Sequence, residues 1–382
     1  MRELMPITPK LLTWARDRAG YSLEEISAKK DFKKIKLWEN GEKGPTYSQL
    51  EKLAKEFRVP VAVFFFPEPP ELPPIDESFR TLEAKQIKQI PPRIRLLLRK
   101  ALAFQLSLQE LHFGSNPADR LITKDLSFQP TDSVDKIARS VRNYLNVSFE
   151  DQYKWNNSDE AFKNWRKVLL DVGVNVFKDS FRNDGYSGFC LFHQEFPLIY
   201  VNNSTAKNRQ IFTLFHELSH LLFKTSGVDT PRDSFLDELP TNNKKIEIIC
   251  NKMAAQFLVP DDEFDKSIKG IEPTQEAYKL SKRFCVSREL IFRKFLDRGL
   301  ITKELYDEKT TEWSKETAPS KGGDHYNNKV TYLGTEYITL AFQRYYQNII
   351  SENQLAEYLD TNPKNLNRLE ENILSRFFEL RI

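Results

Sequence analysis

Residues 211–223 read Ile211-Phe212-Thr213-Leu214-Phe215-His216-Glu217-Leu218-Ser219-His220-Leu221-Leu222-Phe223. Inside them stands His216-Glu217-Leu218-Ser219-His220, the H-E-x-x-H spacing of zinc peptidases. On an α-helix, at about 100° per residue, positions four apart differ by about 40°, so both imidazoles leave one face within reach of a single ion. Ile211, Leu214, Phe215, Leu218, Leu221 and Leu222 recur at helical spacing on the opposite side, and Phe212 and Phe223 widen the apolar surface. Such a helix is expected to be buried nearly all round. Buried imidazoles need partners, and a metal ion supplies one. The bland alternative is two core histidines beside a glutamate. With only 5 His in 382 residues, the joint occurrence of spacing and helical setting favours the metal.

Working outward, residues 174–177, 188–192 and 198–202 are short strand candidates, broken by Asp184-Gly185 and Pro197. A small sheet beside the helix suits a peptide substrate, because a sheet edge holds an extended chain in register. Residues 224–243 are polar and read as a loop. The next helix, residues 243–259, stops at Pro260. Glu247 lies within the apolar run Ile246-Glu247-Ile248-Ile249-Cys250 and shares a face with Asn251, Ala254 and Leu258. A carboxylate there is costly unless paired, which makes Glu247 the candidate third ligand. The alternatives are a salt bridge from Glu247 to a Lys or Arg, or ligation by Asp233, Asp237, Glu238 or His193.

The run Gln210–His220, followed by Glu247-x3-Asn251-x2-Ala254-Ala255-x2-Leu258-x-Pro260, resembles the ImmA/IrrE family of metallo-endopeptidases. Gly188-Phe189 and Ile199-Tyr200-Val201-Asn202 match the strands preceding that family's zinc helix, and the resemblance covers residues 170–300. It implies His216, His220 and Glu247 as metal ligands and Glu217 as general base, with Zn2+ as cofactor and Mn2+ as the alternative. It further implies a regulatory protein substrate, such as a transcriptional repressor cleaved on a stress signal. Three protein ligands leave zinc one position for water. Tyr186, Tyr200 and His193 are candidate oxyanion stabilisers.

Residues 1–66 read as five short helices. Thr8-Pro9 offers an N-cap and a proline at N1, and Gly20 a stop. Ser22-Leu-Glu-Glu25 and Thr46-Tyr-Ser-Gln49 are capping boxes, and residues 32–39 and 60–66 complete the set. Ser22-Leu-Glu-Glu-Ile26, Trp38-Glu-Asn-Gly41, Pro45-Thr46, Leu50-Glu-Lys-Leu-Ala54 and Val59-Pro60 together resemble the XRE-type helix-turn-helix. This copy departs from the pattern between Ile26 and Trp38, where the usual Gly-containing turn is shortened to Lys29-Lys30-Asp31. The would-be reading helix offers Lys33, Lys34 and Lys36, suited to phosphates, but lacks the Arg, Asn or Gln residues that pair with base edges. DNA binding through residues 1–66 is therefore one expectation; packing or protein contact by a degenerate module is the other.

Pro67-Glu-Pro-Pro-Glu-Leu-Pro-Pro74 packs five prolines into eight residues, a stiff spacer, and residues 85–100 carry six basic residues and no acid. The expected organisation is a helix-turn-helix domain at 1–66, a Pro-rich and basic linker at 67–91 and a helical brace at 92–150. A peptidase domain at 151–300, a linker at 301–328 and a helical domain at 329–382 complete it. The fold class is mostly α and multidomain (α+β), with a zincin-like central domain. Net charge is only +3, although residues 1–100 hold 20 Lys/Arg against 14 Asp/Glu, which is compatible with nucleic acid or an acidic partner. Cys190, Cys250 and Cys285 are too scattered for a disulfide framework or a cysteine zinc ribbon. No run approaches the length of a membrane span, and the N-terminus lacks a signal pattern, so a cytoplasmic setting is expected. The rival to a peptidase is an XRE-type repressor or an antitoxin-like partner of a toxin, with a structural or idle metal site.

Overall fold

Caps and core spacing set the N-terminal helices. The computed structural model describes residues 4–70, 90–225, 228–229, 241–315 and 325–379. Helices α1 (Pro9–Ala19), α2 (Leu23–Ala28), α3 (Ile35–Glu39) and α4 (Tyr47–Phe57) follow in order, with 3-10 turns at Lys30–Phe32 between α2 and α3 and at Val61–Phe65 after α4. Both expected capping boxes form, Ser22 with Glu25 and Thr46 with Gln49. Thr8 does not cap α1 with its side chain; its hydroxyl donates instead to the Phe66 carbonyl at 2.9 Å. The expected single helix over 32–39 is also split. Phe32, Ile35 and Trp38 all enter the core, and their spacing of three is the 3-10 period, so the chain tightens before α3 begins. Arg16 grips Glu39 through two bonds, Nε–Oε1 at 2.7 Å and Nη2–Oε2 at 3.2 Å, fastening α1 to α3.

The chain divides within α5 (Pro92–Leu111) into two compact units, Met1–Lys100 and Ala101–Ile382. The second unit begins with α6 (Ile122–Asp125), α7 (Val134–Leu145), α8 (Phe149–Tyr153) and α9 (Ser158–Asp171). Strands β1 (Asn175–Asp179), β2 (Gly188–Leu191) and β3 (Leu198–Asn202) lead into α10 (Lys207–Leu222) and the two-residue β4 (Val228–Asp229). Then follow α11 (Thr241–Leu258), α12 (Asp261–Ser267), α13 (Pro273–Phe284) and α14 (Arg288–Asp297). Helices α15 (Lys303–Lys315), α16 (His325–Leu333), α17 (Thr335–Tyr346), α18 (Glu352–Tyr358) and α19 (Leu366–Glu379) end the described chain. The protein is thus mostly helical around one small mixed sheet. Residues 303–315, read from sequence as part of a linker, are helical.

The sheet order is β1-β3-β2-β4, with β1 parallel to β3 and the other pairings antiparallel. Every residue of β1, β2 and β3 is buried, as expected of strands covered on both faces. At one edge of the sheet, β4 pairs with Gly188 and Phe189 of β2. Helix α10 packs on β2 and β3, flanked by α9 and α11. Aromatic residues of α5 and α17 meet the sheet, with Phe104 stacked on Phe177 at 4.8 Å and Tyr337 edge-on to Phe177 at 5.1 Å. Arg166 of α9 donates to Val176 O of β1 at 2.6 Å and to Thr331 O and Tyr332 O of α16 at 2.8 and 3.2 Å. One buried guanidinium thereby caps the end of α16 and pins it to β1.

Stacked aromatic rings tie α9, α10 and α11 together. Trp165 meets Phe215 edge-on at 4.8 Å, and Phe215 stacks on Phe257 at 4.1 Å. Cys250 and Ala254, both fully buried, are small enough for the helices to approach. The C-terminal carbonyls of α11 are satisfied from α7 and α8: Arg142 donates to Phe257 O at 2.6 Å, and Gln152 donates to Leu258 O at 3.2 Å.

Candidate metal centre

Helix α10 is as deeply buried as its sequence requires; between Gln210 and Leu222, Phe212 is the one residue not fully covered. His216 and His220 are 0 % and 2 % exposed. Their Nε2 atoms stand 3.2 Å apart. Glu247 of α11 reaches across with Oε2 at 3.3 Å from His216 Nε2 and Oε1 at 3.2 Å from His220 Nε2. A tetrahedral zinc with ligand bonds of about 2.0–2.1 Å sets its ligand atoms about 3.3 Å apart, and each of these three separations, with both Glu247 oxygens facing the imidazoles, is of that size. These three residues could hold a metal ion, and they form the one such group of His, Cys, Asp or Glu side chains among the described residues.

The surroundings prepare both imidazoles as ligands. His216 Nδ1 faces Asn251 Oδ1 at 3.0 Å, and the amide oxygen can only accept, so Nδ1 carries the proton and Nε2 is left with its lone pair. Asn251 lies one turn beyond Glu247 on α11, which places a ligand and the partner of another ligand on one helix face. Burial alone would raise the Glu247 carboxyl; the two imidazoles override it and hold it well below the usual carboxylate range. Burial likewise opposes charge on His220, yet Cys250 and Glu247 beside it raise its pKa well above the ordinary value. The cluster favours a positive charge at its centre, which a dication satisfies.

Glu217 follows His216 and is fully buried. It lies toward β2, where Gly188 makes room: a Cβ at Gly188 would stand 2.4 Å from Thr213 Cγ2 and 2.9 Å from Tyr200 O, with Glu217 Cγ at 3.8 Å. Among the other residues singled out by sequence, His193 is not part of the metal-capable group. Its Nδ1 accepts from the backbone N–H of Glu195 and Phe196 at 3.1 and 3.0 Å, a turn-closing role. Tyr200 is a core residue of β3, 1 % exposed and stacked on Phe189 at 5.0 Å. Tyr186 is half-buried just ahead of β2, and burial raises its pKa. Asp233, Asp237 and Glu238 lie outside the described residues, as do the linker residues 71–89 and 316–324. Lys33, Lys34 and Lys36 are exposed around α3, in the separate N-terminal unit. No helix among the described residues is long and apolar enough to cross a membrane.

Sequence reasoning missed Thr225, which contacts His220 from just beyond α10. Its signal is conformational, a helix end that folds back on itself, and no residue pattern announces it.

A His-His-Glu group on two packed helices, with a glutamate following the first histidine and a small sheet alongside, could hold a metal ion. Residues 170–295 match the family model described as the IrrE N-terminal-like domain, Peptidase_M78, which supports the resemblance to the ImmA/IrrE metallopeptidases. A separate search of curated proteins found no match to the chain.

Proposed function

We propose that this protein is a zinc-dependent regulatory endopeptidase that hydrolyses a peptide bond in a specific protein partner. The observation that carries the reading is the triangle of His216, His220 and Glu247, with edges of 3.2–3.3 Å, and Glu217 adjoining it. Zn2+, or Mn2+ in its place, would be held by these three residues and would supply Lewis acidity toward water and the scissile carbonyl. The chain's own residues do the rest. Asn251 keeps His216 in the tautomer that offers Nε2, and the stacked aromatics of α9, α10 and α11 exclude bulk water from behind the site. Glu217 takes a proton from the attacking water and returns it to the leaving amine. The resemblance to ImmA/IrrE supports a transcriptional repressor, or a similar regulatory protein, as the substrate.

The test uses the full chain, the chain treated with chelator, and the Glu217→Gln variant against a repressor-like candidate substrate. Cleavage by the first alone, restored to the second by Zn2+, is the expected pattern. Equal cleavage by all three would refute the reading.

A second reading concerns residues 1–66, proposed as an XRE-type DNA-binding module of a repressor or of an antitoxin-like protein that pairs with a toxin. Lys33, Lys34 and Lys36 favour it, being exposed and making no ion pair among the described residues. Their partner would be the phosphate backbone, with little base discrimination. Gel shifts with duplex DNA at two salt concentrations test it; binding unchanged by alanine at all three positions would remove it.

A further inference from the structure

Helix α10 does not simply end after His220. Its last turn closes at Phe223, and Lys224 then takes the left-handed conformation with φ 58°, a region that L-residues other than Asn and Asp rarely enter. That reversal brings Thr225 back over the helix end. The Thr225 N–H donates to His220 O at 2.9 Å, and its hydroxyl donates to the same carbonyl at 3.0 Å. The same hydroxyl stands 3.3 Å from His220 Nδ1. From the other side, the Cys190 thiol of β2 reaches Thr225 O at 3.8 Å.

Proton counting decides what these contacts do. A hydroxyl has one hydrogen to donate and two lone pairs with which to accept. The carbonyl of His220 can only accept, and it makes the shorter of the two hydroxyl contacts, so the hydrogen lies there. The imidazole must then be the donor, with its proton on Nδ1. That turns Nε2 toward the metal position, 3.2 Å from Glu247 Oε1 and 3.2 Å from His216 Nε2, as the nitrogen whose lone pair a metal ion would take. Resting on the metallopeptidase reading of this centre, we infer that Thr225 is a positioning residue that fixes the tautomer and ring orientation of His220 as a metal ligand. It serves His220 as Asn251 serves His216. The two ligands are thus oriented by different elements, one by the neighbouring helix and one by the turn that ends their own.

The inference predicts more than a loss of packing. Thr225→Val keeps the β-branched shape and removes the hydroxyl, while Thr225→Ser keeps the hydroxyl and removes the methyl. Outer-shell partners of metal-bound histidines typically contribute about 10–100-fold in affinity. Zinc affinity of the full chain, measured by competition with a chromophoric chelator, should fall by about that factor in Thr225→Val and return to within about threefold of the native value in Thr225→Ser. Nitrogen-15 NMR of the imidazoles should report Nδ1–H and metal-bound Nε2 on His220 in the zinc-loaded native chain, and a mixture of ring states in zinc-loaded Thr225→Val. Equal affinities for the native chain and Thr225→Val, with an unchanged tautomer, would overturn the inference, as would equal weakening by Val and Ser. His220→Ala separates this from the underlying reading. If it abolishes zinc binding while Thr225→Val has no effect, the positioning role fails and the metal centre stands. If His220→Ala also binds zinc normally, the metal centre itself fails.

Discussion

Lys178 gives the sharpest quantitative prediction. It is the fourth of the five residues of β1 and is 2 % exposed, with its Nζ 4.4 Å from the ring of Phe162. Asp159, an acid that acts on it, is itself paired with Lys207 at 3.2 Å. Burial first, then the neighbouring charges of Lys207 and Arg166, push the amine down to about 6. An unfolded lysine titrates near ~10.4. Because the folded value is the lower one, folding between these limits releases a proton, and stability rises with pH through the window. The cost is greatest at and below pH about 6 and vanishes above ~10.4. At pH 7 the gap to the unfolded value is worth about 4–5 kcal/mol, and at pH 9 about 2 kcal/mol. Lys178→Met retains the length of the side chain and removes the amine. It should therefore stabilise the protein by about 4 kcal/mol at pH 7 and by about half of that at pH 9. Urea unfolding of both proteins at the two pH values measures this directly. A gain of the same size at both, or none at either, would refute the reasoning.

Other outcomes follow from single contacts. Gly188→Ala should destabilise by about 1–3 kcal/mol and weaken zinc binding, since its methyl would stand 2.4 Å from Thr213 and 2.9 Å from the Tyr200 carbonyl; thermal melting and metal titration read the two effects. Arg142→Met should cost about 3 kcal/mol in a melting experiment, because it strips the buried donor from Val147 O, Gln152 Oε1 and Phe257 O. Glu217→Gln should retain one metal ion per chain by elemental analysis, while its turnover falls by about 10²–10⁴-fold.

Local rules carried much of the architecture. The apolar stripe around His216 and His220 announced a buried helix, and Glu247 was found because a carboxylate inside an apolar run has to be paired. The capping boxes at Ser22 and Thr46 formed as written. What could not be read was long-range. Nothing near Phe32 said that core spacing would tighten the chain into a 3-10 turn. Thr8, which had every mark of an N-cap, found a better acceptor in Phe66, 58 residues away. That Tyr200 packs in the core and that His193 closes a turn depends on neighbours such as Phe189 and Phe196, which the local sequence does not announce. Thr225 depends on a left-handed lysine that no sequence rule would place.

The central claim is a metal held by two imidazoles and one carboxylate, with a coordination position left for solvent. X-ray absorption at the zinc edge of the loaded full chain tests it most directly, because Cys250 lies beside His220 and sulfur scattering is distinct. The account predicts one zinc per chain, two imidazole shells, light-atom ligands at about 2.0–2.2 Å and no sulfur. A zinc–sulfur distance near ~2.3 Å, or a first shell filled by four protein ligands, would contradict it.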